Sequence, residues 1–388
     1  MGPREALLDD AVRTTTAAFV DVHDARMKLN HLKASKRHII ERHVRPDDRK
    51  GLTMVLTTLL PLAALFYAAV PAADVSYWLS AAMVLATSLF LIRAFVLMHE
   101  CGHGSLFRSG RLNRAFGFVL GVVTGMPQYV WARHHQHHHA TNGNWDRYRG
   151  PLNIIRVHEY EVLTPGQKRR YRGARSIWMA PLAGLMYVIV NPRLNWLRGS
   201  FALLLHVAKG KVRQPRRKLS VLASEFVSPY WSSAKEYQHM CSNSCALLGM
   251  WAVVSWLDGS ALFVAFHIIS ASLAGGAGIA VFAVQHNFDH AYASGDTGWD
   301  YDRAVLEGTS FLMLPSWLNW FTANIGYHHI HHLSARIPNY CLVACHEEFA
   351  HLFVDVRRIS LAQIPAALRC MLWDAPGACI VSVARAQP

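Results

Sequence analysis

Two stretches of this chain, residues 51–92 and 245–284, hold none of its 39 lysines and arginines. Inside them lie four apolar runs, about residues 52–72, 77–98, 245–257 and 261–284. At 1.5 Å per residue, a helix of ~20 apolar residues matches the hydrocarbon core of a bilayer. The runs therefore predict helices that cross a membrane. Short turns at 71–76 and 258–260 join them into two hairpins, and these turns also lack basic residues. Lysine and arginine gather on the cytoplasmic side of membrane proteins. Both termini and the large middle segment are thus expected in the cytosol, all on one face. Arg93, in the last turns of the second run, either snorkels to the interface or faces the protein.

That placement decides how the rest of the composition is read. The formal net charge is +14, but basic loops beside anionic lipid account for it without nucleic acid as a partner. The basic run 209–218 is read as a loop near headgroups. Seven cysteines, an odd number without CxxC spacing, fit reduced thiols on a cytosolic face. Residues 1–50 lack the apolar core of a signal peptide and read as a cytosolic helical segment. Its histidines (His23, His31, His38, His43) are read as solvated or interfacial. Residues 51–348 form the expected membrane domain and 349–388 an amphipathic cytosolic tail. Between the hairpins, 115–130 is broken by glycines and Pro127 and reads as a half-membrane element. Residues 178–190 and 196–207 read as interfacial segments.

Histidine is the compositional outlier, with 23 residues, many of them clustered. His99 and His103 are four apart at the cytosolic end of the second run, one helical turn from each other on one face. With Glu100 they match HExxH, a zinc-protease pattern. In Trp131-Ala132-Arg133-His134-His135-Gln136-His137-His138-His139-Ala140-Thr141, HxxHH is met by His135, His138 and His139, and equally by His134, His137 and His138. A third group, His328, His331 and His332, gives HxxHH again. One such group alone is weak evidence, because a histidine tract binds metal adventitiously. An HxxxH and two HxxHH groups on one membrane face are a strong signal, giving eight imidazoles. Structural zinc takes four ligands and catalytic zinc three. Eight neutral nitrogens suit two metals of higher coordination number, and imidazole suits iron, copper, nickel and zinc alike. His267, alone within the fourth run, reads as a packing residue.

At these residues the chain resembles the membrane fatty acid desaturases, in a branch similar to bacterial acyl-lipid Δ12 (omega-6) enzymes. The resemblance is carried by HECGHGSLF at 99–107, WARHHQHHHATNGNWDRYRG at 131–150 and NIGYHHIHHLSARIPNY at 324–340, and covers most of the chain. It implies an all-α integral membrane protein, with four spanning helices and a cytosolic helical cap holding two iron ions. The family pattern selects His135, His138 and His139 in the second group. It implies a further ligand, for which His286 is the choice and His290 the weaker candidate. Asn324 and Asp146 (with Arg147) are candidates for supporting the ligands. The His-Pro-Gly-Gly motif of cytochrome b5 fusions is not found, so electrons are expected from a separate carrier, ferredoxin.

The reaction so implied uses O2 and two electrons to remove two hydrogens from adjacent methylenes of a fatty acyl chain. The protein must hold the irons and bind the chain in a dry tunnel. Trp131, Trp317 and Trp320 are candidate tunnel residues, with interfacial anchoring as their alternative. The nearest rivals are a diiron hydroxylase or acetylenase on a lipid or hydrocarbon. A membrane metal transporter would instead place its ligands along the spanning helices at bilayer depth. A zinc protease resting on His99, Glu100 and His103 leaves the other two groups unexplained.

Overall fold

A carboxylate starts the first long helix. In the computed structural model, which describes residues 26–150 and 152–386, the Asp47 side chain accepts hydrogen bonds from the backbone N–H groups of Arg49 (2.8 Å) and Lys50 (3.1 Å). These donors would otherwise lack partners in the first turn. Helix α1 (Asp48–Val75) then runs out, and Ser76, in extended backbone, turns the chain into α2 (Tyr77–His103). The Ser80 hydroxyl donates to the Ala69 carbonyl (2.9 Å) and pins the hairpin. Gly104, left-handed at φ 70°, ends α2 just after the first histidine pair.

Helices α3 (Gly110–Thr124) and α4 (Gln128–Ala140) are bent by 100° to each other across Pro127. This broken element occupies the expected half-membrane stretch. Next comes a continuous helical rod, α5 (Ile177–Arg213), with a π turn at Met186–Val190. Helices α6 (Ala234–Leu257) and α7 (Leu262–His286) form the second hairpin. The first arm starts at Ala234, well before residue 245, because Ser233 caps it: its hydroxyl accepts from the Glu236 N–H. A short helix, α8 (His328–Leu333), carries the third histidine group.

Five described helices are long and apolar enough to cross a membrane, and the bent pair brings the total to as many as six. The sequence reading expected four. The additional candidate is α5, which covers the two segments expected to be interfacial, residues 178–190 and 196–207. In the structure the Arg193 guanidinium donates to the carbonyls of Gly125 and Val188 and to Asn243 Oδ1, so the rod continues through it. Arg93 likewise faces the protein. It donates to Thr58 Oγ1 (3.0 Å) and the Trp320 carbonyl, and stacks on the Trp320 ring.

The fold is mostly helical, with five short strands among the described residues. These are β1 (Ile155–Arg156), β2 (Ser310–Met313), β3 (Arg357–Ser360), β4 (Cys370–Asp374) and β5 (Cys379–Ser382). β4 pairs with β1 in parallel and with β5 antiparallel, while β2 pairs with β3 in parallel. The C-terminal segment is therefore sewn into the body. The helical stretch 26–43 closes the other flank, burying Leu32 and Ile39 against Ile330 and Leu333 of α8. Lys33 and Lys36 pair with Asp300 (2.5 Å) and Asp302 (2.6 Å). His31 and His38 are exposed there, but His43, expected to be solvated or interfacial, is buried and lies 3.1 Å from Glu348. Residues 1–25, including His23, lie outside the described residues.

Helices α5 and α7 cross at glycine. A Cβ on Gly184 would lie 2.2 Å from the Gly276 nitrogen, so neither backbone can yield to it. Overpacking typically costs ~1–3 kcal/mol where side chains can shift, and more where backbone is the obstacle. Gly184→Leu is expected to lower the melting temperature in detergent sharply. Gly249→Leu, at a position where a Cβ meets nothing within 4 Å, should melt close to the wild type.

Candidate metal centre

Four chain segments end at one place. α2 delivers His99 and His103 on one face, α4 delivers His135, His138 and His139, α7 ends at His286, and α8 carries His328, His331 and His332. They form two sets. In the first, ring nitrogens of His99, His103, His135, His139 and His331 all lie within 4.8 Å of one another; the second joins His138, His286, His328 and His332 in the same way. These are the nine histidines singled out in the sequence as ligands. In the second group, His134 and His137 stay exposed and join neither set.

The spacing within each set bears on what holds it. In the first, the Nε2 atoms follow one another: His103 to His99 at 3.3 Å, His99 to His135 at 2.9 Å, His135 to His139 at 3.0 Å, and His139 to His331 at 3.0 Å. Each neutral imidazole Nε2 has a single in-plane site, either one proton or one lone pair. Five such atoms in series can make at most two hydrogen bonds, so four close contacts cannot all be satisfied that way. Metal–nitrogen bonds of about 2.0–2.1 Å place neighbouring ligands ~3 Å apart, which is the spacing seen. The second set repeats it, with His328 to His286 at 2.8 Å and His138 to His332 at 3.3 Å. The donor atoms therefore fit two metal ions, one in each set.

The protonation states agree. Burial, reinforced by neighbouring imidazoles, pushes the pKa of His328, His331 and His332 well below the usual histidine range. They stay neutral at physiological pH, the form a metal takes. Glu100, fully buried, is the carboxyl group set among them. Its Oε1 lies 3.0 Å from His99 Nδ1 and 4.0 Å from His331 Nδ1. Its Oε2 accepts from the Ser105 hydroxyl (2.8 Å) and the Asn339 N–H (3.0 Å). A carboxylate held this way fixes His99 with its proton on Nδ1 and its lone pair on Nε2. The sequence reading used Glu100 only for the protease pattern; the signal it missed was a carboxylate beside a first-box histidine at the end of an apolar run.

Other residues singled out in the sequence lie elsewhere. His290 is exposed, left-handed, and contacts Arg385 (3.0 Å). Asp146 pairs with Arg156 (2.8 Å) and Arg147 with Asp296 (2.6 Å), an ion-pair network away from both sets. Asn324 does not touch the histidines either; its amide donates to the Asn339 carbonyl (3.3 Å) and so braces the residue whose N–H holds Glu100. His267 is satisfied by Trp251 Nε1 (2.8 Å) and the Val123 carbonyl (2.8 Å), as a packing residue should be.

An apolar cavity of about 160 Å³ opens onto both sets, touching His99, His135 and His328. Its walls come from α2, α4, α5 and α7. Trp131 lines it, with its indole stacked on His135 (4.5 Å between centroids) and its N–H held by Tyr187 Oη (3.0 Å). Trp317 and Trp320 are not among its lining residues. Tyr148, which the sequence reading passed over, also lines it and sits against the His138 ring.

Comparison with known proteins gives one consistent result. A family model described as fatty acid desaturase matches residues 76–360. A protein named fatty acid desaturase from Bacillus subtilis (strain 168) is 33% identical, over 85% of this chain and 84% of its own length. An sn-1 oleoyl-lipid 12-desaturase of Picosynechococcus sp. is 24% identical, over 66% of this chain and 65% of that protein. A chloroplastic temperature-sensitive sn-2 acyl-lipid omega-3 desaturase (ferredoxin) of Arabidopsis thaliana is 26% identical, over 65% of this chain and 52% of that protein.

Metal analysis of the purified protein should find two ions per chain, one for each set. His135→Ala and His332→Ala are each expected to lose metal, and His137→Ala to keep both ions. Glu100→Gln should weaken metal retention by ~10–100-fold in chelator competition, the usual cost of losing a ligand's supporting acceptor. Unchanged retention would contradict its role.

Proposed function

This chain belongs to the fatty acid desaturase family, and from that premise we propose that it introduces a double bond into a fatty acyl chain at a pair of irons. His99, His103, His135, His139 and His331 hold one iron; His138, His286, His328 and His332 hold the other. The observation that carries this reading is the apolar cavity ending on both histidine sets. A zinc protease has no use for nine imidazoles, and a transporter has none for an apolar cavity ending on both metal sites.

When bound, the metal pair supplies O2 activation and the removal of two hydrogens from adjacent methylenes. The remaining tasks belong to this chain's own side chains. Leu91 and Phe95 of α2 line the cavity together with Val281 and Phe282 of α7 and grip an alkyl segment without offering it a polar partner. Excluding water keeps the reaction on the chain. The Trp131 indole, fixed between His135 and Tyr187, gives that wall a rigid flat surface beside the first set. Glu100 keeps the His99 tautomer ready for metal.

The finer assignment is a Δ12/omega-6-like desaturase, supported by relatives named 12-desaturase. The electron donor is proposed to be a separate ferredoxin, in keeping with the relative whose name includes it. The catalytic body spans residues 51–348, set in a bacterial cytoplasmic membrane. The absence of basic residues from both hairpin turns supports termini and metal centre on the cytosolic side.

The test is the lipid profile of a host expressing the wild type beside His135→Ala and His331→Ala. A new unsaturated fatty acid is expected from the wild type alone, with all three proteins at equal level. Hydroxylated products without new alkenes would sink desaturation and favour the related hydroxylase.

A further inference from the structure

The wall that α7 presents to the cavity includes Ala271, Ala274, Gly275, Gly278, Phe282 and Gln285, with Ile279 and Val281 beside them. Spacings of three and four place the former on one helical face. The face leads away from His286, at the metal end of the helix. At 1.5 Å per residue, Gly278 lies ~10 Å along the axis from Gln285, and Ala271 ~21 Å from it. The opposing wall descends too, from His99 to Leu91 on α2, over ~12 Å.

Three glycines lie on this part of α7, and two have a packing reason. A Cβ on Gly275 would come within 2.9 Å of Gly184 Cα, and one on Gly276 within 2.7 Å of the Ala180 carbonyl carbon. Gly278 has none, since a Cβ there would meet nothing within 4 Å. Glycine is disfavoured inside a helix relative to alanine. No neighbouring protein atom demands it here, and the space it leaves belongs to the cavity.

We propose that Gly278 determines how much saturated alkyl chain the cavity accepts beyond the metal pair, and so sets chain-length preference and double-bond position. This rests on the reading of the cavity as the acyl site. The methyl end of the substrate runs down the α7 wall past Gly278, between it and the α2 wall at Ile92. A side chain at 278 fills that passage and stops the tail nearer the metals. Longer chains then no longer fit, or they react nearer the methyl end.

The experiment feeds an expressing host with saturated fatty acids of graded length and compares wild type, Gly278→Ala, Gly278→Leu and Gly249→Leu. Chain length and alkene position are read by mass spectrometry, and metal content is measured on each purified protein. One methylene gained or lost in an apolar pocket shifts discrimination by ~10–200-fold. Gly278→Leu is therefore expected to change the long-to-short product ratio by about tenfold or more, or to move the double bond towards the methyl end. Gly278→Ala should shift it the same way by less. Gly249→Leu, equally open but away from the cavity, should leave it unchanged. If Gly278→Leu does not accumulate, the alanine variant decides, because its added carbon meets no neighbour. An unchanged product distribution in a metal-loaded Gly278 variant overturns the inference. Failure of the wild type to make any alkene would instead overturn the desaturase reading. Chain-length selection at Gly278 would then be scored on whatever oxidised product forms.

Discussion

Five imidazoles held with their Nε2 atoms in series about 3 Å apart cannot all satisfy one another, and the rest of the structure follows from that constraint. Hydrogen bonding accounts for only part of the Nε2 contacts, because each atom has one in-plane site. Packed together and buried, the rings cannot all be charged either. The chain therefore has to deliver them neutral, pre-aimed and rigidly backed. It does so with elements of different kinds. Two apolar helices end at the centre (α2 at His103, α7 at His286), the bent pair α3–α4 brings in the second group, and a short helix, α8, carries the third. A two-stranded sheet, the helical stretch 26–43 and the Tyr301 hydroxyl, which donates to the His332 carbonyl (2.7 Å), hold α8 down.

Charge placement does similar work inside the helical body. Arg93 and Arg193 donate to carbonyl and side-chain oxygens that lie within or between helices; Arg93 is buried and Arg193 half-buried. Glu100 is the buried carboxylate of the centre, and every contact it makes joins a histidine to the chain around it. Desolvating such a group is costly unless its oxygens are used, and both are. The Asn324–Asn339–Glu100–His99 series then links the residues just before α8 to the first histidine pair through hydrogen bonds alone.

Much of this was legible in the sequence because it is written in periodic or local patterns. The apolar runs without lysine or arginine announced α1, α2, α6 and α7 as long apolar helices. Spacings of three and four announced which histidines share a face, and Gly104 and Pro127 stand where helices stop or bend. What was hidden depends on partners far away in the chain. The second histidine group fits two registers by spacing, and only the meeting of α4 with α7 and α8 turns His135, His138 and His139 inward while His134 and His137 face out. α5 was read as two interfacial segments, and local polarity at Arg193 gives no hint that Gly125 and Asn243 absorb its donors. The strands β3–β5 were read as a tail, since β4 pairs with β1 across some two hundred residues and β3 with β2 across the third histidine group, while β5 joins the sheet through β4. His43 looked solvated for the same reason: Glu348 is its neighbour only in three dimensions.

The claim on which the account turns is that two separate metals share nine imidazoles, five on one and four on the other. Iron K-edge X-ray absorption on the purified, iron-loaded protein tests it most directly. The account predicts two irons per chain in shells dominated by light-atom scattering with the outer-sphere pattern of imidazole, averaging between four and five rings per iron. A single iron per chain, or two irons bridged by carboxylates with few imidazoles, would contradict it.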